Sequence, residues 1–407
     1  MVQKFWIVSL QRLTLHTLIK LKLRGVRKFI LLFSVILFCS SCLKFPKDTY
    51  VKVLDVPSDF DWKTIEAKKV NIAVVSSILN DEGDTIASFL PPGEYDITVG
   101  KNTNLNIVKE QSQAETKSIR SSQVKQRVYF PCKYKYATVM FEDLFPSKGD
   151  MDMNDIVFGL NIEYLLDSKA RLLGFNINIQ PRAIGSSYPQ IGLAANLNSN
   201  EALDVVETIL HSSDPILSPL FNVTDNSEGY STETGVTTSQ VAPITGDFRY
   251  YFYNDEDLFI NVRDIDPFTY TESFTVQVII KPTKLFSFSK MTFLDTVQTG
   301  KINLDIFACF GTRGREVHFK GQKATQKFNL MYFLSTRPKT DFSTVDNWVW
   351  AIISDKSIRH PLEWIKIYNA YPNFKIWAEG GGEIGSNWYI PSVSDSLHSN
   401  SYFSYIN

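Results

Sequence analysis

One short segment of the sequence has an unusual density of side chains that could bind a cation. From Phe141 the chain reads FEDLFPSKGDMDMND, and its acidic and amide side chains are Glu142, Asp143, Asp150, Asp152, Asn154 and Asp155. So many carboxylates in one loop repel one another unless water or a cation compensates. Calcium takes about six to eight oxygen ligands in flexible geometry, which an Asp-x-Asp-x-Asn run can supply. The spacing alone leaves a solvated acidic turn as an equal alternative.

The segment is not an EF-hand loop, although its start is similar. Asp155 stands where that loop requires glycine, and the flanking residues have the alternating pattern of strands. We therefore expect a strand, loop, strand site. In it, Glu142 and Asp143 face Asp150 and Asp152 across a hairpin.

The elements that must position this loop are mainly strands. Runs of β-branched and aromatic residues, bounded by turn residues, recur along the chain: 70–75, 94–99, 136–141, 156–164, 172–179, 248–253, 274–280 and 302–310. This pattern predicts an all-β fold with a sandwich or jelly-roll main domain, a small N-terminal β-module and one or two short helices. One helix is expected at Leu203, Val206 and Leu210, and another at Trp364, Tyr368 and Tyr371.

The chain length and the composition along it predict several segments. Residues 1–41 are interpreted as a signal peptide, 43–60 as a tether and 61–108 as the small β-module. Residues 109–127, rich in Gln, Ser and Lys, are predicted to be a linker. The remaining residues, 128–407, form the predicted main β-rich domain.

The N-terminus has the pattern of a lipoprotein export signal. Basic residues between Lys20 and Lys28 precede a ten-residue apolar run, Phe29 to Phe38, which is shorter than the about 20 residues of a membrane-spanning helix. Ser40 and Ser41 then precede Cys42, which we predict to be the first mature residue and the site of lipid attachment. The alternative is an ordinary signal peptide cut nearby. The length of the region before the apolar run suggests that translation starts downstream of the first Met.

Removing this segment makes the protein acidic. It contains seven Lys and Arg and no Asp or Glu, so the formal net charge changes from −1 to −8. The absence of a basic cluster in the remainder argues against nucleic-acid binding. Cys132 and Cys309 are then the only mature cysteines besides Cys42, and they could form one disulfide or remain as two buried thiols.

The acidic segment resembles the signature of LruC-type domains, which occur in outer-membrane lipoproteins of spirochaetes and in many Bacteroidetes proteins. That signature is an acidic pair, Leu, a bulky residue and Pro, followed by Gly-Asp-x-Asp-x-Asn-Asp. Further ordered matches extend the resemblance over about residues 128–390: 314–319, 324–325, 350–352, 370–374, 381–382 and 388–389.

The resemblance implies a β-rich envelope domain of poorly known function, and a similar acidic motif in related domains is thought to bind calcium. Carried over by position, the implied calcium ligands are Glu142, Asp143, Asp150, Asp152, Asn154 and Asp155. This chain departs from the pattern at Cys132, where a small residue is common. It also departs at Met151 and Met153, which replace a more usual aromatic residue without removing an oxygen ligand.

The sequence favours a binding function over catalysis. The five histidines have no metal-ligand spacing, and neither Gly-x-Ser-x-Gly nor His-Glu-x-x-His occurs. We therefore predict a non-enzymatic binding or adhesion module, held at the outer membrane by its lipid, on the periplasmic side or the cell surface. Its partners would be the membrane and a glycan or protein of the envelope. The alternatives are a structural envelope component without a small ligand and a glycan-active hydrolase.

Overall fold

The computed structural model describes residues 54–110, 123–252, 257–334 and 339–399, all within one compact unit, residues 51–407. Over these ranges the chain forms seventeen strands in three sheets and two short α-helices. The predicted all-β fold class is therefore confirmed.

The largest sheet has ten strands and is antiparallel throughout. Its members are β2 (Ser76–Leu79), β3 (Thr85–Leu90), β5 (Asn106–Lys109), β6 (Gln126–Phe130), β7 (Ala137–Phe141), β8 (Ile156–Leu166), β9 (Leu172–Ala183), β11 (Val206–His211), β13 (Phe274–Ile280) and β17 (Ala351–Ser354). The spatial order is β11-β13-β9-β8-β6-β3-β2-β5, with β7 also paired to β8 and β17 paired to β7.

The second sheet has five strands and a mixed direction. It contains β10 (Ile191–Asn198), β12 (Gln240–Thr245), β14 (Met291–Phe293), β15 (Ile302–Phe310) and β16 (Glu316–Val317). The order is β12-β10-β15-β14, with β16 on β15, and only the β14–β15 pair is parallel. A third sheet pairs β1 (Ile65–Ile72) with β4 (Gly93–Gly100).

The hydrophobic core lies between the two larger sheets. Phe158 and Ile177 of the ten-stranded sheet belong to the same buried cluster as Leu193 and Ile306 of the five-stranded sheet. This packing follows from alternation along the strands: in β13, every second residue from Phe274 to Ile280 is buried. Each such large apolar side chain contributes about 1.5–3 kcal/mol when fully buried.

The segment predicted as a small β-module is joined to the rest of the fold through hydrogen-bonded strands. Its strands β2 and β3 belong to the ten-stranded sheet, where Ala87 and Ser88 of β3 pair with β6. Most of the predicted linker, residues 111–122, lies outside the described residues, as do the signal peptide and Cys42.

Two local predictions were wrong. The helix expected at Leu203, Val206 and Leu210 is instead β11, because Val206–His211 pairs with the apolar strand β13 and sheet packing overrides the helical spacing. The strand expected at 248–253 begins as a 3-10 helix, Phe248–Tyr251, whose first turn is capped by the Asp247 side chain.

The helix predicted at Trp364, Tyr368 and Tyr371 is present but shorter than expected. The chain forms α1 (Ile367–Ala370) and α2 (Phe374–Glu379), and Trp364 precedes both with a left-handed backbone, φ 64°. Neither helix, nor any other in the described ranges, has the length and apolar character needed to cross a membrane.

Candidate metal centre

The acidic segment is the connection between two paired strands. Strands β7 and β8 are antiparallel neighbours, with Phe141 opposite Ile156, so residues 142–155 form the loop of a wide hairpin. This is the predicted strand, loop, strand arrangement. The loop is held on both sides by the ten-stranded sheet, which fixes where its first and last side chains point.

Acidic residues and methionines alternate in the loop, and the two residue types have different surroundings: Asp150 and Asp152 belong to a group of carboxylates, and the methionines to a hydrophobic cluster. Met151 and Met153 are buried in a hydrophobic cluster that also contains Trp348 and Ile367. Both methionines have left-handed backbone, at φ 68° and 56°, and the amide of Ile367 donates to the carbonyl of Met151 at 2.8 Å. The buried methionines therefore attach the loop to the hydrophobic cluster that contains Trp348 and Ile367.

Three carboxylates of the loop converge. One oxygen atom from each of Glu142, Asp150 and Asp152 lies within 4.8 Å of the other two. Glu142 and Asp152 are buried, at 0% and 1% exposure, whereas Asp150 is half-buried. Of the two residues expected to face Asp150 and Asp152 across the hairpin, Glu142 does so, whereas Asp143 is not part of this group.

Several oxygen atoms around this cluster lack hydrogen-bond donors among the described residues. Glu142 accepts from the Met153 amide through Oε1 at 2.9 Å, but its Oε2 is buried without a donor. Asp152 accepts from the Trp364 amide through Oδ2 at 2.8 Å, but its Oδ1 has no donor. Asn154 donates to Pro361 and leaves its own Oδ1 unpartnered. Buried acceptors without a partner cost about 1–3 kcal/mol each.

Burial and mutual repulsion disfavour the charged forms of these acids. Burial, followed by the charges of Asp152, Asp155 and Asp150, raises the pKa of Glu142 well above its usual range. Burial and the charge of Asp150 raise the pKa of Asp152 to about 8. Burial and neighbouring acids are the largest influences that raise the pKa of both groups, and a bound cation would oppose them.

Two glycines shape the space next to the unpartnered oxygens. A β-carbon at Gly149, which has φ 77°, would come too close to Glu142 Oε2, and one at Gly185 would collide with Asn154 Oδ1. Gly185 also donates its amide to the carbonyl of Asn154 at 3.0 Å. Any side chain at either position would displace the oxygen atoms that face the cluster.

Asp143 and Asp155 have different surroundings from the other four predicted residues. The Asp143 amide donates to Asp155 Oδ2 at 2.7 Å, and Asp143 Oδ2 accepts from the Ser186 hydroxyl at 2.6 Å. Arg315 donates to the Asp143 carbonyl at 3.0 Å. Asp155 therefore ties the two ends of the loop together, and both residues lie outside the group of three converging carboxylates.

One acid near the site was missed by sequence analysis. Glu363 Oε2 is buried without a hydrogen-bond partner among the described residues, and burial and the charges of Asp150 and Asp143 raise its pKa to about 7. The neighbouring Trp364 amide is bonded to Asp152, which docks this segment on the loop. Nothing in the sequence near Glu363 marks it, because its relation to the loop arises only in the folded chain.

The sequence left open whether Cys132 and Cys309 form a disulfide. Cys132 and Cys309 are both buried, free thiols, and they belong to different hydrophobic clusters. Of the two alternatives, a disulfide or two buried thiols, the structure shows the two buried thiols. Burial raises the pKa of the Cys132 thiol to about 12, which keeps it protonated.

The fold and the site together define an all-β protein with a buried carboxylate cluster in a hairpin loop. The chain belongs to the DUF4842 family, described as a domain of unknown function, whose profile matches residues 171–389. This match covers just over half of the chain and includes Glu363, while the acidic loop precedes it. The family match does not test the resemblance to LruC-type domains, which stays a prediction.

Comparison with individual proteins adds little. No curated protein matches the chain. A crystal structure of a protein from Bacteroides ovatus, provisionally described as a lipoprotein, is 14% identical with a TM-score of 0.44; the match covers 86% of this chain and 97% of that one. A similarity at this level carries no argument about function.

Proposed function

We propose that this protein is a non-enzymatic envelope lipoprotein whose β-domain is stabilised by calcium in the acidic loop and serves as a binding or adhesion module. The observation that carries the calcium proposal is a set of buried oxygens to which no group in the described part of the chain donates a hydrogen bond: Glu142 Oε2, Asp152 Oδ1 and Asn154 Oδ1. They occur beside three converging carboxylates in one loop. The resemblance of the segment to LruC-type domains supports the same assignment.

The donor set favours calcium over other metals. All the converging side chains offer oxygen, and no histidine or cysteine is part of the group, as a zinc or copper site would require. Calcium accepts irregular arrangements of carboxylate, amide and carbonyl oxygens, whereas magnesium demands tight octahedral geometry and keeps several waters. Glu142, Asp150, Asp152 and Asn154 would hold the ion, with Glu363 as a further carboxylate at its edge.

A calcium ion here would act on stability. Glu142 and Asp152 are inaccessible to a substrate, so the ion would neutralise the loop and fix the hairpin. It would also fix Trp364, whose amide is bonded to Asp152 and whose side chain is 73% exposed. The site therefore connects the core of the sheet to an exposed aromatic ring.

The test is the melting temperature of the protein in calcium and in chelator. A ligand that binds only the folded state at a hundredfold excess over its dissociation constant stabilises by about 2.7 kcal/mol, so calcium should raise the melting temperature. Magnesium should substitute poorly.

A pair of matched variants makes the result specific. Asp150→Asn combined with Asp152→Asn should remove most of the calcium-dependent rise. Asp225→Asn combined with Glu228→Gln, which changes two exposed acids in another turn, should leave it intact. Identical melting curves of the wild type in calcium and chelator would overturn the proposal.

The anchoring part of the proposal rests on the N-terminal pattern. Basic residues, a short apolar run and small residues precede Cys42. Metabolic palmitate labelling should mark the wild-type chain, and Cys42→Ala should abolish labelling and leave the precursor uncut or release the protein into the soluble fraction. An unlabelled wild type would contradict anchoring.

The side of the outer membrane needs a separate experiment. Protease treatment of intact cells should digest a surface-exposed protein, whereas a chain cut only after lysis is periplasmic. The residues after Cys42, LKFPK, contain no acidic cluster of the kind that often marks surface export in Bacteroidetes.

A further inference from the structure

A second site lies away from the acidic loop, in an open cleft of about 760 Å³. Six parts of the chain converge on it: the turn between β2 and β3, the residues at and after the end of β4, the turn between β6 and β7, the end of β9, and the two segments 355–357 and 389–390. This volume falls within the range of pockets for small ligands, about 300–1,000 Å³.

The charged side chains of the cleft neutralise one another. Lys135 contacts Asp84 at 2.7 Å and Glu82 at 3.0 Å, and Lys356 contacts the other oxygen of Glu82 at 2.7 Å. Arg182 and Asp355 complete a set of three cations and three carboxylates in the lining. The cleft as a whole therefore has no excess charge to attract an ionic ligand.

The floor of the cleft is polar and preorganised. Arg182 is buried, and its guanidinium donates to Thr138 at 2.9 Å, Gln180 at 3.1 Å and Ser357 at 2.7 Å. The Asp355 carboxylate accepts from the Thr64 hydroxyl at 2.7 Å. Such a surface, dense in fixed donors and acceptors, disfavours an apolar ligand because the ligand would displace water without replacing its hydrogen bonds.

Tyrosine rings provide the apolar part of the lining. Tyr134, Tyr136 and Tyr389 all border the cleft, and Tyr134 is 84% exposed. The Tyr134 ring is held at the rim by a left-handed backbone, φ 66°, and by Lys133, whose Nζ lies 4.7 Å from the ring centroid on one face. The opposite face can stack on a ligand, and an exposed ring of this size has no role in packing the core.

We propose that this cleft binds a neutral glycan segment. A ligand with many hydroxyl groups and no charge, and with C–H faces that stack on aromatic rings, matches the balanced charges, the polar floor and the tyrosine rim. This inference rests on the proposed role as an envelope binding module and names its ligand class. It does not depend on calcium, because none of the acids of the loop lines the cleft.

The experiment is calorimetric titration of the full chain with neutral oligosaccharides: maltoheptaose, cellohexaose, laminarihexaose, xylohexaose and mannohexaose. At least one should bind with a dissociation constant of about 1 mM or tighter, and the affinity should not change with salt, because no net charge is involved. Polygalacturonate serves as the anionic control and should not bind.

Two matched variants test the location. Tyr134→Ala should weaken binding about tenfold, the factor that corresponds to the loss of one good aromatic contact. Tyr270→Ala removes another exposed tyrosine, 67% accessible and outside the cleft, and should leave the affinity unchanged. Equal melting temperatures of both variants and the wild type would show that folding is intact.

The results that overturn the proposal are clear. They are no binding of any neutral oligosaccharide, equal binding by wild type and Tyr134→Ala, or binding of polygalacturonate alone. Each would leave the calcium test unaffected, and a protein that binds a glycan but shows no calcium effect would refute only the metal proposal.

Discussion

Two groups of buried charged side chains within the described residues differ in how their charges are compensated. In the first, which we call the balanced cluster, Glu233 is bonded to Arg313 at 2.7 Å and to Lys327 at 3.0 Å. Its other members are Asp305, Glu316 and His318. The second is the acidic loop, where Glu142, Asp150 and Asp152 converge and where Lys366 acts electrostatically on Asp150.

The electrostatic consequences are opposite in the two regions. Burial alone would raise the pKa of Glu316, but His318, Arg313 and Thr325 lower it to about 2. In the acidic loop, burial and neighbouring acids both raise the pKa of Asp152, to about 8. Among the described residues one oxygen of the balanced cluster, Asp305 Oδ1, also lacks a hydrogen-bond partner, so the two regions differ mainly in charge: the balanced cluster contains its own cations, and the proposed calcium ion would supply one to the acidic loop.

The largest expected effect comes from breaking the balanced cluster. Arg313→Met should leave Glu233 and Glu316 buried with fewer partners and destabilise the protein by about 3–5 kcal/mol. The loss should be the same in calcium and in chelator, because this cluster is complete without a metal. Urea denaturation of the wild type and the variant, each in calcium and in chelator, measures this loss of stability. A loss that depends on calcium would contradict the expected independence of the balanced cluster from the metal.

A smaller effect, with a sign that depends on calcium, is expected in the acidic loop. Asp152→Asn keeps an oxygen to accept from the Trp364 amide but removes one charge. In chelator it should stabilise the protein, since it relieves repulsion, and in calcium it should destabilise it by removing a charged ligand. Each change should be about 1–2 kcal/mol, the scale of a hydrogen bond to a charged group. Denaturation curves showing the same sign in both conditions would contradict a cation site.

The balanced cluster should also give a pH dependence. Burial would lower the pKa of His318, but Asp305 and Glu316 raise it to about 9. Because the folded-state pKa is above the unfolded value of 6.5, the stabilisation is fully present below about pH 6.5 and is lost as pH rises through about 9. The effect should be smaller than that of Arg313→Met, since Arg313 remains in place.

The pH measurement has its own control. His318→Gln should flatten the decline of the unfolding free energy between about pH 6.5 and pH 9. A wild-type profile that stays level over this range would mean that His318 is not charged in the folded protein.

The smallest expected effect is spectroscopic. Trp364 is exposed and bonded to Asp152, whereas Trp62, Trp348, Trp350, Trp377 and Trp388 are buried. Calcium should therefore change the tryptophan emission mainly through Trp364, and Trp364→Phe should abolish the change without altering the melting temperature in chelator by much. A calcium-dependent signal that persists in this variant would come from elsewhere in the chain.

The parts of this account that could be predicted from sequence are those encoded locally. The strand pattern of β13 and β15 and the acidic loop both appear within short windows, because alternation and ligand spacing are properties of neighbouring residues. A local pattern gave a wrong prediction at β11. Leu203, Val206 and Leu210 lie at helical spacing, but pairing with β13 makes this segment a strand.

Features that depend on distant contacts could not be predicted. The approach of Glu363 and Trp364 to the loop, and the meeting of Glu233 with Arg313, join residues far apart in the chain. Sequence analysis found His318 only as a histidine without metal-ligand spacing, and its place between Asp305 and Glu316 comes from the register of β15 and β16.

The central claim, that the acidic loop holds one calcium ion, is tested most directly by calcium titration calorimetry of the metal-stripped protein combined with elemental analysis of the protein as purified. We expect one calcium per chain, little heat from magnesium, and loss of binding in Asp150→Asn combined with Asp152→Asn but not in Asp225→Asn combined with Glu228→Gln. The absence of both binding heat and bound calcium in the wild type would contradict the account and make this loop a solvated acidic turn.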